Sequence, residues 1–330
     1  MQEHPFAPFI RILGKGKKGS RSLTFDEAET AMTMILGGQT TPEQIGAFLM
    51  LIRVKEESPE ELAGFIRAAR AQLGFPSDTA EGLPTVDLDW SSYAGKRRHL
   101  PWFVLSARLL AEQADVRVLM HGAPGSKDDR VYCEEAVRAL GLPVCEDLDG
   151  IAQAVTGGGF AYIDLEHLSP ALKHIIDLRS LFGLRSPINT LLRMLNPLSA
   201  PYIMQGIFHP NYRDVHQQAA ILLDQPHMAV FKGEGGEAER NPDSECPVLG
   251  VRGHEAVVET WPALFSRRHI APETLDVPKL AALWNGEIDD EYGEAAVVGT
   301  TAIALRLLER ATGPEDAQAQ AQALWVNRLG

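Results

Sequence analysis

Apolar positions in the first 75 residues recur at helical spacing, as in Ile45, Phe48, Leu49 and Ile52. Three start signals divide that stretch. Thr24 precedes Glu27 by three positions, and the apolar run through Met34 and Leu36 stops at Gly37 and Gly38. Thr41, with Pro42 and Gln44, opens a second helix that is expected to reach about residue 55. Ser58, with Pro59 and Glu61, opens a third, expected to reach about residue 73. A hydroxyl followed three residues on by Glu or Gln satisfies the first free N–H groups of a helix reciprocally. Residues 1–75 therefore read as a helical block, ended by a loop over 74–79.

Beyond it the pattern changes. Short apolar runs at 85–88, 116–120, 160–163, 202–204, 228–231 and 256–259 read as strands. Helical patterns lie near 102–113, 129–140, 148–155 and 215–223. Such alternation implies βαβ units and a mostly parallel sheet. The tail, 277–329, is helical again, and its segment 315–323 is rich in Ala and Gln. Residues 169–197 are helical by period, interrupted at Gly183 and Pro187, and are expected to return to the helical block. The expected fold class is α/β. A small all-helical domain (1–75, joined by part of 169–197) accompanies a larger α/β domain (80–330) with a mostly parallel central sheet.

Composition alters this picture little. Hydrophobic content of 45% and charged content of 23% over 330 residues are ordinary for a globular chain. No apolar run approaches the ~18 residues of a membrane span. The start, MQEHPFAPFIRIL, has an early acid and no cationic region, unlike a secretory signal. Three scattered cysteines, Cys133, Cys145 and Cys246, suit neither a disulfide framework nor a zinc site, and point to a reducing cytoplasm.

Charge is more telling. Against 44 Asp and Glu stand 31 Lys and Arg, a net charge of −13, which on average repels nucleic acid and anionic membrane. Yet cations cluster. Residues 14–21, GKGKKGSR, carry Lys15, Lys17, Lys18 and Arg21 without an acid. Residues 93–99, YAGKRRH, carry Lys96, Arg97 and Arg98 beside Tyr93, in a turn between a strand and an apolar helix. Backbone N–H groups often hold phosphate at such a junction. A solvated basic loop is the plain alternative at both places. Arg179, Arg185 and Arg193 form a cationic ladder or a solvated helix face. His121 with Gly122 closes a strand. The loop holding Glu234, Glu237 and Glu239 gives a weak metal reading, centred on Glu237. There is no nucleophile elbow and no Walker loop, and the G-x-G-x-x-G at residues 14–19 lacks a βαβ setting.

These residues together resemble the anthranilate phosphoribosyltransferase and nucleoside phosphorylase class, over nearly the whole chain. The resemblance rests on the three capped helices and the loop over 85–99. It also rests on His121-Gly122, on Arg185, Asn189 and Asn196-Pro197, and on the Gly235–Glu237 loop. It implies a helical domain facing an α/β domain, phosphoribosyl pyrophosphate and Mg²⁺ in the cleft between them, and dimers built through the helical domains. The chain departs from the class at the motifs that hold the donor. The class has a Gly-Thr-Gly-Gly-Asp loop where this chain has Trp90 and Tyr93, and an Asn-x-Ser-Thr helix start where it has His99-Leu-Pro-Trp-Phe. An Asp-Glu metal pair becomes Gly236-Glu237, and a Gly-Pro-Leu becomes Leu192-Arg193-Met194. These changes resemble the YbiB-like branch of the class, which also shares His209-Pro-x-Tyr212 and the run from Asn241 to Pro247.

That branch implies a non-catalytic homodimer that binds DNA or RNA without strong sequence preference and needs no cofactor. Lys15, Lys17, Lys18, Arg21, Lys96, Arg97 and Arg98 are then the phosphate contacts, helped by Arg185 and Arg193, with Tyr93 or Trp90 stacking on a base. The alternative is a phosphoribosyl transferase using Mg²⁺ with anthranilate or a nucleobase-like acceptor, in which His121, Asn189, Arg179 and Glu237 keep roles in the cleft. A third reading is a dimeric module whose basic patch meets an acidic protein.

Overall fold

A computed structural model of the chain describes residues 2–73, 84–125 and 129–329. The loop expected at 74–79 lies outside them. All three capping boxes form. Thr24, Thr41 and Ser58 accept from the N–H groups of Glu27, Gln44 and Glu61, and those side chains accept in return from the cap N–H groups. They start α2 (Phe25–Leu36), α3 (Pro42–Lys55) and α4 (Pro59–Gln72). Ahead of them stands α1 (Ala7–Gly14), absent from the sequence reading. Helices α2 and α4 touch so closely that a Cβ on Gly64 would lie 2.4 Å from the Phe25 carbonyl oxygen.

The α/β part begins with β1 (Leu88–Ser92), α5 (Phe103–Ala114), β2 (Val118–Gly122), α6 (Cys133–Ala139), β3 (Val144–Cys145), α7 (Leu148–Gly158) and β4 (Phe160–Asp164). Four short helices follow: α8 (Leu165–Leu168), α9 (Pro170–Asp177), α10 (Arg179–Phe182) and α11 (Ile188–Leu191). Then come β5 (Tyr202–Ile207), α12 (Tyr212–Leu222), β6 (His227–Lys232), β7 (Cys246–Arg252) and β8 (Glu255–Trp261). Helices α13 (Lys279–Trp284), α14 (Glu291–Leu307) and α15 (Pro314–Asn327) end the chain. β1 starts later than the expected 85–88 run because its pairing with β2 begins at Leu88↔Val118. β3 is only two residues long, and Pro247 inside β7 hid that strand from the pattern.

Among the described residues the strands form one sheet, ordered β3-β4-β2-β1-β5-β6-β7-β8. β1 to β6 pair in parallel, and β7 and β8 add an antiparallel edge. Side chains alternate between its two faces. Leu119, Ile163, Ile203 and Val230 join one apolar cluster with Phe48, Ile66, Leu172 and Leu191, so α9 and α11 share a core with the N-terminal helices. Val118, Met120, Tyr162 and Phe231 join the other, under α5, α14 and α15. Successive strands leave β1 in one direction and β5 in the other. A cleft opens at such a reversal, outside the carboxyl ends of the strands. No helix among the described residues is long and apolar enough to cross a membrane.

Candidate functional site

The carboxyl ends of β1, β2, β5 and β6 meet at this reversal. Asp89 on β1 and His121 on β2, offset by two residues in the strand register, are both buried, with Tyr93 just past the end of β1. Tyr93 Oη lies 2.7 Å from His121 Nδ1, and His121 Nε2 lies 3.3 Å from Asp89 Oδ2. Burial, reinforced by Asp89 and Asp164, raises the Tyr93 phenol well above its ordinary value. The phenol therefore stays protonated and donates to Nδ1, and the imidazole donates from Nε2 to Asp89. This relay fixes the floor of the turn.

The turn itself is full. Four of its backbone N–H groups, which would suit phosphate, bind carboxylates from the loop after β6, while the Lys96 N–H donates to the Val131 carbonyl oxygen at 2.8 Å. Ala94 N and Gly95 N donate to one oxygen of Glu237 at 2.6 and 2.7 Å. Arg97 N and Arg98 N donate to one oxygen of Glu234 at 2.8 and 2.6 Å. Lys96 is 1% exposed, with Nζ 2.5 Å from Glu239 Oε1 and 3.2 Å from Glu234 Oε2. Burial alone would lower its pKa, but Glu239 and Glu234 outweigh burial and raise it, so the ammonium stays charged. The second Glu239 oxygen accepts from Phe103 N at 2.9 Å. Glycines admit the loop. A Cβ on Gly206 would lie 2.2 Å from the Glu237 carbonyl carbon, and one on Gly233 would lie 1.8 Å from its oxygen. Gly236, at φ +99°, leaves room for Arg193 Nη2, 2.5 Å from where its Cβ would be.

Beside the turn, where the helical layer meets the end of β5, lies a cavity of about 100 Å³. Its lining includes Arg53, Arg185, Asn189, Arg193, His209 and His216. Arg185 makes no ion pair or hydrogen bond among the described residues. Burial first, then Arg193, Arg179 and Arg130, lower its pKa to about 10, which still leaves it cationic at neutral pH. Two buried acceptors there are unmet among the described residues: Asn189 Oδ1 and His216 Nε2. Burial and Arg193 lower His216 to about 3, so the ring is neutral and donates from Nδ1 to Gln205 Oε1 at 2.6 Å.

The expected contacts are dispersed by this geometry. Lys15, Lys17 and Lys18 are exposed on the turn after α1, and Arg21 is paired with Glu27 at 2.6 Å. Arg97 is exposed and paired with Asp129 at 3.0 Å, and Arg98 is exposed. Lys96, Tyr93 and Trp90 are buried and cannot meet a polyanion or a base. Arg179, Arg185, Asn189 and Arg193 do gather on the cavity side, while His121 belongs to the relay below. Sequence reasoning missed Asp89, Arg53 and His216. Asp89 alone left a signal, as a carboxylate inside an apolar strand.

Nor does the site suit Mg²⁺. Glu237 and Glu234 are committed to backbone amides, and Glu239 to Lys96 and Phe103 N. Among the described residues no three His, Cys, Asp or Glu side chains gather to hold a metal ion.

Residues 7–73 match the helical bundle domain of a glycosyl transferase family. The chain is 28% identical to anthranilate phosphoribosyltransferase of Anaeromyxobacter dehalogenans over 295 residues, 89% of this chain and 81% of that one. It is 30% identical to an uncharacterised protein of Aquifex aeolicus over 244 residues, 73% of this chain and 71% of that one. Anthranilate phosphoribosyltransferase of Saccharomyces cerevisiae, solved in complex with PRPP and Mg, superposes with a TM-score of 0.77 at 14% identity, covering 99% of this chain and 95% of that one. The expectation of a nucleic-acid binder, with its DNA-binding role for the basic turn, is therefore corrected. The named relatives are phosphoribosyltransferases, and the central cation of the turn is sealed in an internal ion pair. Residues 7–73 carry the helical bundle domain of a glycosyl transferase family, and the whole chain shares the anthranilate phosphoribosyltransferase fold.

Proposed function

We propose that this chain is a transferase of the glycosyl and phosphoribosyl kind that takes an anionic acceptor carrying an N–H donor in the cavity at Arg185. One observation carries the reading: among the described residues, a guanidinium without a carboxylate partner shares a cavity with two unmet buried acceptors, Asn189 Oδ1 and His216 Nε2. Arg185, with Arg193 beside it, suits the carboxylate or phosphate of such a molecule, because guanidinium groups bind these anions through paired N–H donors. Asn189 Oδ1 and His216 Nε2 suit its amine or ring N–H. An amino-substituted aromatic acid has both features, and anthranilate is the simplest probe.

The acceptor would sit beside the turn that ends β1, where the four backbone N–H groups are of the kind that receive a donor's phosphates. Tyr93, His121 and Asp89 orient that turn and hold their protons within the relay. Lys96, paired with Glu239 and Glu234, holds the loop after β6 against that turn. No step is assigned to a metal, because the carboxylates that would hold one are engaged elsewhere.

The test is a fluorescence titration of anthranilate into the wild-type chain and Arg185→Ala, followed by incubation with phosphoribosyl pyrophosphate. Loss of the anion contact should weaken binding at least tenfold, about 1.4 kcal/mol. Equal binding by both proteins would remove Arg185 from the acceptor site.

A further inference from the structure

We infer that the turn after β1 is a masked diphosphate site, in which the chain's own Glu237 and Glu234 occupy the places of two phosphate groups. The amides fall into two consecutive pairs, Ala94 with Gly95 and Arg97 with Arg98, and each pair converges on a single carboxylate oxygen. Consecutive N–H groups aimed at one point form an anion nest. Two nests separated by one residue suit two linked anionic centres. Lys96 lies between them, and its ammonium bridges Glu234 and Glu239.

The mask is built rather than incidental. Gly206 and Gly233 admit the backbone of Glu237, and Gly235, at φ +69°, brings the loop against the Gly95 carbonyl oxygen, 2.9 Å from where its Cβ would be. Arg130 ties the turn from the other side, donating to the carbonyl oxygens of Ala94 at 2.9 Å and Gly95 at 3.2 Å. Two carboxylate oxygens of the mask, Glu234 Oε2 and Glu237 Oε2, are buried without a hydrogen bond among the described residues. Of the two, Glu234 Oε2 alone has a cation beside it, Lys96 Nζ at 3.2 Å. Glu237 is wholly buried, and its Oε2 has no partner among the described residues. A buried carboxylate oxygen without a donor carries an uncompensated desolvation cost. That cost makes Glu237 the weaker of the two occupants and the first to yield to an incoming anion.

A diphosphate must therefore displace Glu237, then Glu234, competing with carboxylates held at high effective concentration by their own loop. Affinity at the turn is set by that competition and not by the amides alone. The inference deepens the transferase reading and rests on it for the class of ligand. Its test needs no acceptor, so an empty Arg185 cavity would leave it intact.

Inorganic pyrophosphate is titrated calorimetrically into the wild-type chain, Glu237→Ala and Glu57→Gln. Glu57 lines the neighbouring cavity but touches only the hydroxyls of Thr190 and Tyr212, so its substitution controls for charge alone. Glu237→Ala should bind at least tenfold tighter than wild type, and Glu57→Gln no more than two- or threefold tighter. Equal gains in the two variants, or no binding by Glu237→Ala, would overturn the mask. Hydrogen exchange on the ligand-free wild type gives a reading that no variant's folding can spoil. The amides of Gly95, Arg97 and Arg98 should be protected. Exchange at the rate of an open loop would overturn the inference by itself.

Discussion

Glu61 is wholly buried in α4 and serves three donors at once. It accepts from Leu23 N at 2.8 Å, Ser58 N at 2.9 Å and Lys55 Nζ at 2.6 Å. As the third residue of a capping box its link to Ser58 was legible, but its hold on Leu23, 38 positions away, was not. Glu61→Ala would leave a buried N–H and a partly buried ammonium unmet. Urea unfolding should find it destabilised by roughly 3–5 kcal/mol. Tyr93→Phe removes the phenol that donates to His121, and should cost roughly 1–3 kcal/mol in the same assay. Gly206→Ala cannot fit without pushing the Glu237 backbone away. Alongside a cost of roughly 1–3 kcal/mol, that change should expose the Gly95 amide to exchange. At this scale the sequence announced residue types well and their partners poorly. Lys96 read as a mobile surface cation and is in fact locked to Glu239, 143 positions later.

At the scale of elements, local signals succeeded where the stabilising contact is also local. The capped helices and most strands stand close to where hydrophobic period and start signals put them. β7 escaped because its pairing with β6 and β8 overrides Pro247, and β1 shifted because Asp89, Ser91 and Ser92 are polar yet buried. One connection depends on charge. His269, between β8 and α13, sits 2.6 Å from Asp243 and 3.0 Å from Glu291 at the start of α14. Hydrogen bonds to Asp243 and then Glu291 raise its pKa above the ordinary 6.5. A group whose folded pKa is raised stabilises fully below its unfolded value and loses that contribution as pH rises through the folded one. The melting temperature should therefore fall as pH rises from about 6.5, apart from other titrations. His269→Gln should flatten that slope. An unchanged slope in the variant would show that the clasp contributes nothing to stability.

For the whole molecule, the sequence by itself determined the class of architecture. Capping boxes, the change of period after residue 75 and the βα alternation act through neighbours three or four positions apart or through simple burial, so they can be read from the chain in order. It also determined which residues were candidates: the basic turn, the Arg ladder and the loop with Glu234, Glu237 and Glu239. Only the tertiary structure decided which charges remain available. Folding brings the loop after β6 against the turn after β1, so Lys96 and the amides beside it are neutralised from within, while Arg185 is left without a partner among the described residues. The net charge of −13 could not reveal this. Electrostatic function depends on distances across the fold, and residues more than a hundred positions apart acquire those distances only when the sheet and its loops assemble.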